Sequence, residues 1–234
     1  MAKSNQAVAT ANAFNPAADT LPAFLQEQSG RGNENVGDNL EIPRIKLLQK
    51  MNDEVDPNHD KYIEGAKVGD FLNVLTGQLF SEVYVISVNF QVEFVIWRKR
   101  EHGGGKQGTF STRQEASEWV AEQGAAEADK FDVSENHQHL LLIYDQETGQ
   151  LASTPAIMDF SGSKLRVSKN WNSKIIEKGG DRFSTIWRFK PLPMSNDKGS
   201  WINISAEYVG FVASEDDYKT AEKLYESSQP STVH

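Results

Sequence analysis

Residues 82–98 read EVYVISVNFQVEFVIWR, a run in which apolar and polar side chains alternate. The apolar residues at every second position are Tyr84, Ile86, Val88, Phe90, Val92, Phe94 and Ile96. Ser87, Asn89, Gln91 and Glu93 lie between them. Since successive side chains of a β-strand point to opposite faces, this period predicts a strand with one buried and one solvated face. Its length predicts either a bend within a barrel or a break into two strands.

Shorter segments around this strand complete a mainly β pattern. Further strands are predicted at Glu41–Leu48, Leu140–Tyr144, Leu151–Phe160, Phe183–Leu192 and Trp201–Val212. Helices are predicted at Thr112–Gln123, Ser163–Lys178 and Glu215–Ser228. Strands, then a helix, then two closing strands is the element order of an OB-fold. The expected fold is therefore mainly β with peripheral helices, an OB-like β-barrel with a helix before the last β-hairpin.

The chain is expected to have one folded domain between two polar ends. Residues 1–40 are rich in Ala, Asn, Gln, Ser and Gly and predict a disordered arm, interrupted by the short apolar segment Leu21–Leu25. Residues 41–213 form the OB-like domain, with a helical insertion near residues 110–130. Residues 214–234 form a short helix and a polar tail.

Composition excludes several classes of protein. The 234 residues include no cysteine, which excludes a disulfide scaffold, a zinc finger and a cysteine nucleophile and favours a reducing compartment. The first residues lack the apolar run of a signal peptide. No segment approaches the roughly 20 apolar residues of a membrane helix. A cytoplasmic protein without a membrane partner is expected, in the host cytoplasm if the protein is viral.

Charge is distributed unevenly along the chain. The net charge is −9, which by itself disfavours nucleic acid as a partner. Residues 111–160 carry a net −8, whereas residues 161–201 contain nine Lys and Arg against three Asp and Glu. One basic segment inside an acidic protein predicts a positive groove.

Aromatic residues alternate with cations in this basic segment and at the end of the long strand. Sequence-tolerant binding of single-stranded nucleic acid uses that combination, because bases stack on rings while Lys and Arg contact phosphates. The predicted stacking residues are Trp97, Trp171, Trp187 and Phe189. The predicted phosphate contacts are Arg98, Lys99, Arg100, Lys106, Lys164, Arg166, Lys169, Lys174, Arg188 and Lys190. The alternative for each ring is ordinary core packing, with the cations simply solvated.

Signals for catalysis or metal binding are weaker. His137 and His139 could place two imidazoles on one strand face, but no third ligand follows nearby. Asp145, Glu147, Asp159 and Glu177 have no spacing typical of a magnesium site. The triple glycine at 103–105 fits neither phosphate-binding glycine motif. A non-enzymatic protein without metal or cofactor is expected.

Two motifs resemble phage proteins. The run Gly162-Ser163-Lys164-Leu165-Arg166-Val167, followed by Lys169-x-Trp171-Asn172, resembles the single-stranded-DNA-binding proteins of short-tailed, T7-type phages. Residues 41–48 and 69–77 resemble phage replication-region proteins. The first resemblance implies an OB-fold, coating of single-stranded DNA and homo-oligomer formation. The family usually ends in an acidic tail with a terminal aromatic, whereas this chain ends Gln-Pro-Ser-Thr-Val-His.

The leading hypothesis is therefore non-sequence-specific binding and protection of single-stranded DNA during phage replication and recombination. Replication or recombination proteins would be its further partners. One alternative is a phage protein that inhibits a host enzyme through the acidic surface of residues 111–160. Another is a metal-dependent DNA-processing enzyme.

Overall fold

The computed structural model describes residues 41–197 and 199–229. Its strands are β1 (Arg44–Leu47), β2 (Phe71–Asn73), β3 (Leu79–Phe80), β4 (Val83–Arg98), β5 (Lys106–Phe110), β6 (Phe131–Tyr144), β7 (Ala156–Ser161), β8 (Thr185–Asn196) and β9 (Gly199–Phe211). Its helices are α1 (Arg113–Glu122), α2 (Ala125–Ala128), α3 (Lys164–Lys178) and α4 (Glu215–Ser227). The predicted arm, including Leu21–Leu25, lies outside the described residues, as do the last five residues.

The strands form one sheet that curls into half a barrel. Their order is β3-β2-β1-β7-β6-β4-β8-β9, and β5 pairs with β4. Neighbours are antiparallel except β1 and β7, which pair in parallel with Arg44 opposite Ile157. β4, β6 and β7 are successive antiparallel neighbours and β8 returns beside β4, which is a Greek-key arrangement. The prediction of a mainly β, barrel-like fold with peripheral helices is confirmed.

β4 is the predicted long strand, and it bends without breaking. It pairs with β6 along its length, with a register shift between Ser87 and Asn89. It also pairs with β8 before this shift and with β5 after it. The prediction of one solvated face is wrong for the first half of β4, because Val85 and Ile86 are both fully buried.

Two buried clusters account for this double burial. Inside the curl, Val85 belongs to a core that includes Trp171 of α3 and Trp187 of β8. In the second cluster, Ile86 packs with Phe183 and with Ala221 of α4. α4 is the predicted last helix, and the Ser214 hydroxyl caps it by accepting a hydrogen bond from a backbone N–H. The C-terminal helix is therefore packed onto the sheet.

A side chain joins the beginning of the described chain to β9. The Gln49 amide nitrogen donates to the carbonyl oxygen of Ile202 at 2.9 Å, and its amide oxygen accepts from the Ile202 N–H at 2.9 Å. These are the two bonds that a neighbouring strand would make with Ile202. Gln49 thus closes a seam between the residues that follow β1 and the edge strand β9.

Candidate nucleic-acid interface

Helix α3 carries four of the ten predicted phosphate contacts, Lys164, Arg166, Lys169 and Lys174. Ser168, Trp171 and Ile175 are buried at helical spacing, so this stripe faces the core. Arg166 and Lys174 lie off that stripe and are exposed. The same periodicity that anchors α3 therefore presents its cations to solvent.

A groove of about 330 Å³ runs between α3 and the β8–β9 hairpin. Arg166, Asn170 and Lys174 line its helical side. Leu192 and Met194 line the hairpin side and are 43% and 39% exposed. None of its described lining side chains is a carboxylate, so the groove combines positive charge with exposed apolar surface.

A second concavity, which we call the cleft, lies on the outer side of β4, β6 and β7. Trp97 lines it with 44% of its surface exposed, and Lys106 lies opposite on β5. Arg44 of β1 also lines it and forms an ion pair with Asp159. Because Glu93 is a further lining residue, cations and carboxylates are balanced in the cleft.

The cleft and the groove each include a residue of the segment that connects β7 and α3. Ser161 lines the cleft, and Ser163 lines the groove two residues later. Lys164 follows at the start of α3, where burial lowers the pKa of its ammonium group and the charge of Asp159 opposes that shift. The two concavities thus have lining residues two positions apart, in the segment 161–164 that begins the basic run.

Three of the predicted stacking residues are corrected by the structure. Trp171, Trp187 and Phe189 have no exposed surface and belong to the core inside the curl. The rings of Trp171 and Phe189 pack edge to face with centroids 4.8 Å apart. A ring without exposed surface cannot stack on a base, so the core-packing alternative holds for these three residues.

Several predicted phosphate contacts have acidic neighbours within the chain. Arg188 and Lys190 both bind Glu207, at 2.6 and 2.9 Å. These two cations hold the pKa of the Glu207 carboxyl below its ordinary value. Lys169 lies 3.3 Å from Glu135 Oε1.

Cations at the end of β4 and in the loop after it also have acidic neighbours. The Arg98 guanidinium lies 4.0 Å from Glu127 and over the Phe131 ring, and Lys99 lies 4.0 Å from Asp132. Arg100 is exposed within a 3-10 turn. Of the predicted residues, Trp97 and Lys106 line the cleft and Arg166 and Lys174 line the groove, whereas Lys164 lines neither and follows Ser163 of the groove in the chain.

The two predicted metal-ligand candidates instead belong to a buried hydrogen-bonded chain. Arg182 can only donate, so its Nη2 donates to His139 Nδ1 at 3.1 Å. His139 Nε2 must then donate to the Ser168 hydroxyl at 2.8 Å. That hydroxyl donates to His137 Nδ1 at 2.8 Å, and His137 Nε2 donates to Glu135 at 2.9 Å. No metal-binding group of three His, Asp or Glu side chains occurs among the described residues.

Sequence reasoning did not find this chain or Arg44. Alternation places residues 137 and 139 on one face of β6, but the partner Ser168 lies on α3 and is distant in sequence. Arg44 could have been found from the same kind of pattern, because it precedes the buried Ile45 in a short strand and so points outward.

Comparison with known proteins places the chain in a family. A family model described as Pam3 phage gp34-like protein matches residues 11–234. The chain belongs to the Pam3 phage gp34-like family. It is therefore a phage protein, as the sequence motifs predicted. The match spans the groove, the cleft and the seam of this gp34-like protein.

Other comparisons add no relative. No match was found among curated proteins or among solved structures. In the described part of this gp34-like protein, no helix is both long and apolar enough to cross a membrane.

Proposed function

We propose that this phage protein binds single-stranded DNA, without sequence specificity and without catalysis, along the cleft and the groove. The observation that carries the proposal is the strand order β7-β6-β4-β8-β9, with α3 between β7 and β8. In the OB-fold that we propose, these would be strands 3-2-1-4-5, and α3 would be the helix before the last hairpin. OB-folds bind oligonucleotides on the face of strands 2 and 3 and on the adjoining loops.

The position of the cleft supports this correspondence. Ser134 and Asn136 of β6 and Ser161 of β7 line it, which are the equivalents of strands 2 and 3. Residues 99–130, between β4 and β6, correspond to the first binding loop, and the tip of the β8–β9 hairpin corresponds to the other. One difference is that β1 pairs with the edge of β7, where the fifth strand closes a standard OB barrel.

The chemistry of the lining residues suits a flexible single strand. Trp97 offers a ring for stacking, which every base can use. Lys106, Arg166 and Lys174 offer charges for phosphates, with Lys164 between them. Coating of this kind would protect DNA during phage replication and recombination in the host cytoplasm, with self-association and replication proteins as further partners.

The decisive test compares two triple variants of equal charge. Lys106→Glu, Arg166→Glu and Lys174→Glu together should abolish oligo-dT binding at low salt, measured by anisotropy of a labelled oligonucleotide. The control combines Lys61→Glu, Lys219→Glu and Lys223→Glu, which are also exposed cations but lie outside the groove and the cleft. The control should keep measurable binding. Equal loss of oligo-dT binding in both variants would contradict the proposed site. Wild-type protein that does not bind oligo-dT would refute the proposed function.

Trp97 provides a second, spectroscopic test. Trp97→Phe keeps a stacking ring, so affinity should change little while much of the fluorescence quenching by oligo-dT disappears. Trp97→Ala removes the ring and should weaken binding by about 1–3 kcal/mol. Unchanged affinity in Trp97→Ala would exclude stacking at this residue.

A further inference from the structure

A third concavity of about 300 Å³ lies at the tip of the β8–β9 hairpin. Trp201 lines it and is partly exposed, and Lys50 lies on its other side. Pro193 and Met194 of β8 and Val68 supply apolar surface. Trp201 was not among the residues predicted from sequence to bind, although it is the last residue of the basic segment 161–201.

This concavity continues the groove. Met194 lines both of them, so the two adjoin across its side chain. Met194 is also the strand partner of Trp201, opposite it in the β8–β9 ladder. A strand leaving the groove beside Arg166 and Lys174 would meet Met194 first and the indole ring next.

The lining chemistry fits a nucleobase better than an ion or a peptide carboxylate. It combines one indole, four apolar side chains and one cation, and none of its described lining side chains is a carboxylate. A planar, weakly polar ring can stack on an indole, while a single neighbouring cation suits the phosphate that accompanies it. The Gln49 amide also lines the site, but its polar atoms are held by Ile202.

We propose that Trp201 and Lys50 form a second nucleotide-binding subsite, in which the indole stacks on a base and the ammonium group contacts the adjoining phosphate. This inference rests on the proposed function, since the same single strand would run from the cleft through the groove to this subsite. With Trp97 at one end and Trp201 at the other, the protein holds its strand between two aromatic residues and contacts phosphates in the groove between them.

The subsite predicts a particular dependence of affinity on oligonucleotide length. Short oligo-dT should bind without occupying both ends, whereas longer oligo-dT should gain affinity until both aromatic residues are engaged. Trp201→Ala should weaken binding of oligo-dT long enough to saturate this gain by about fivefold to 150-fold, the usual worth of one stacked base. The same variant should also lose the increase in affinity that wild-type protein shows between intermediate and long oligo-dT.

The experiment is an anisotropy titration with oligo-dT of 4 to about 20 nucleotides, lengths that bracket the site sizes of OB-folds. Lys50→Glu is the companion variant, since an exposed lysine can be exchanged without disturbing the core. Lys67→Glu, on the same β1–β2 connection, is its matched control. Lys50→Glu should lower the affinity for long oligo-dT, and Lys67→Glu should change it much less.

The outcomes separate the two proposals. If wild-type protein binds long oligo-dT and both Trp201→Ala and Lys50→Glu bind it equally well, the subsite is refuted while the proposed function stands. If wild-type protein binds no oligo-dT of any length, the proposed function fails and the subsite fails with it. Trp201→Phe distinguishes stacking from misfolding, because it should retain most of the affinity that Trp201→Ala loses.

Discussion

A single hydroxyl, Ser168 Oγ, holds two imidazoles in the middle of this protein. It accepts a hydrogen bond from His139 and donates one to His137, each at 2.8 Å. Each hydrogen bond in the series from Arg182 to Glu135 therefore has one donor and one acceptor. The arrangement of Glu135, His137 and Ser168 resembles a catalytic triad in composition. Since Ser168 is fully buried, however, its hydroxyl is not accessible to a substrate. These side chains form a polar part of the core in which the buried donors and acceptors are paired with one another.

His139 makes stability depend on pH. Burial, together with the charge of Arg182, holds the pKa of His139 well below its ordinary value of 6.5. Below about pH 6.5 the unfolded chain binds a proton that the folded chain does not, so stability falls as pH falls, by at most about 1.4 kcal/mol per pH unit. Urea denaturation at pH 7 and pH 5 should show this loss in wild-type protein. It should be smaller in His139→Gln and unchanged in the exposed control His102→Gln. An equal loss in His139→Gln would contradict this assignment.

Trp171 and Trp97 should contribute very different amounts to the free energy of unfolding. Trp171 is fully buried among Phe160, Trp187 and Phe189, so Trp171→Ala should cost about 3–5 kcal/mol of unfolding free energy. Trp97 is 44% exposed, and Trp97→Ala should cost less than about 1 kcal/mol. Urea midpoints of the two variants measure the difference. Similar midpoints would mean that the burial of Trp171 does not hold in solution.

At the scale of elements, local sequence signals located the three longer helices and part or all of the long strands, but not β2, β3, β5 or α2, nor the first nine residues of β6. α1 begins at Arg113, within one residue of the predicted start, because Thr112 and Glu115 form a reciprocal capping box. α3 ends at Gly179, whose backbone φ of 75° favours glycine. Which rings of the basic segment face the core was not predictable, because that depends on where α3 lies against the sheet. Burial of the second face of β4 was not predictable either, because α4, which covers it, is distant in sequence.

The capping box provides a test at this scale. Thr112→Ala removes the side-chain oxygen that accepts from the Glu115 N–H, and it should destabilise the protein by about 1 kcal/mol. Thr112→Ser keeps the oxygen and should stay close to wild type. The measurement is the free energy of unfolding in urea. A Thr112→Ser variant as unstable as Thr112→Ala would assign the effect to the lost methyl group instead.

At the scale of the whole molecule, the sequence predicted the charge asymmetry but not the closure of the sheet. Basic residues of 161–201 do reach the surface on α3, yet three of the nine, Lys169, Arg188 and Lys190, form ion pairs with Glu135 or Glu207. Pairing of β1 with β7, and of Gln49 with Ile202, joins residues more than a hundred positions apart. No local pattern contains such information, since short-range periodicity specifies faces but not partners.

Substitution of Gln49 tests the contribution of its two hydrogen bonds to β9. Gln49→Leu keeps the approximate size of the side chain but removes both hydrogen bonds to Ile202, so it should destabilise the protein by about 1–3 kcal/mol. Hydrogen exchange at the Ile202 amide should become faster. Gln78→Leu, at an exposed position, is the control and should leave this exchange rate unchanged. Unaltered exchange in Gln49→Leu would show that another group protects the edge of β9.

The long-range seam also bears on how the protein is synthesised. The ribosome releases residues 44–49 early, but their partners at 157 and 202 emerge only after most of the chain has been translated. β1 can pair with β2 early, but its pairing with β7 and the bonds from Gln49 to Ile202 must wait until residues 157 and 202 have left the exit tunnel. Emergence of residue 202, and not of the first strands, is therefore the step at which this phage protein is expected to become resistant to proteolysis.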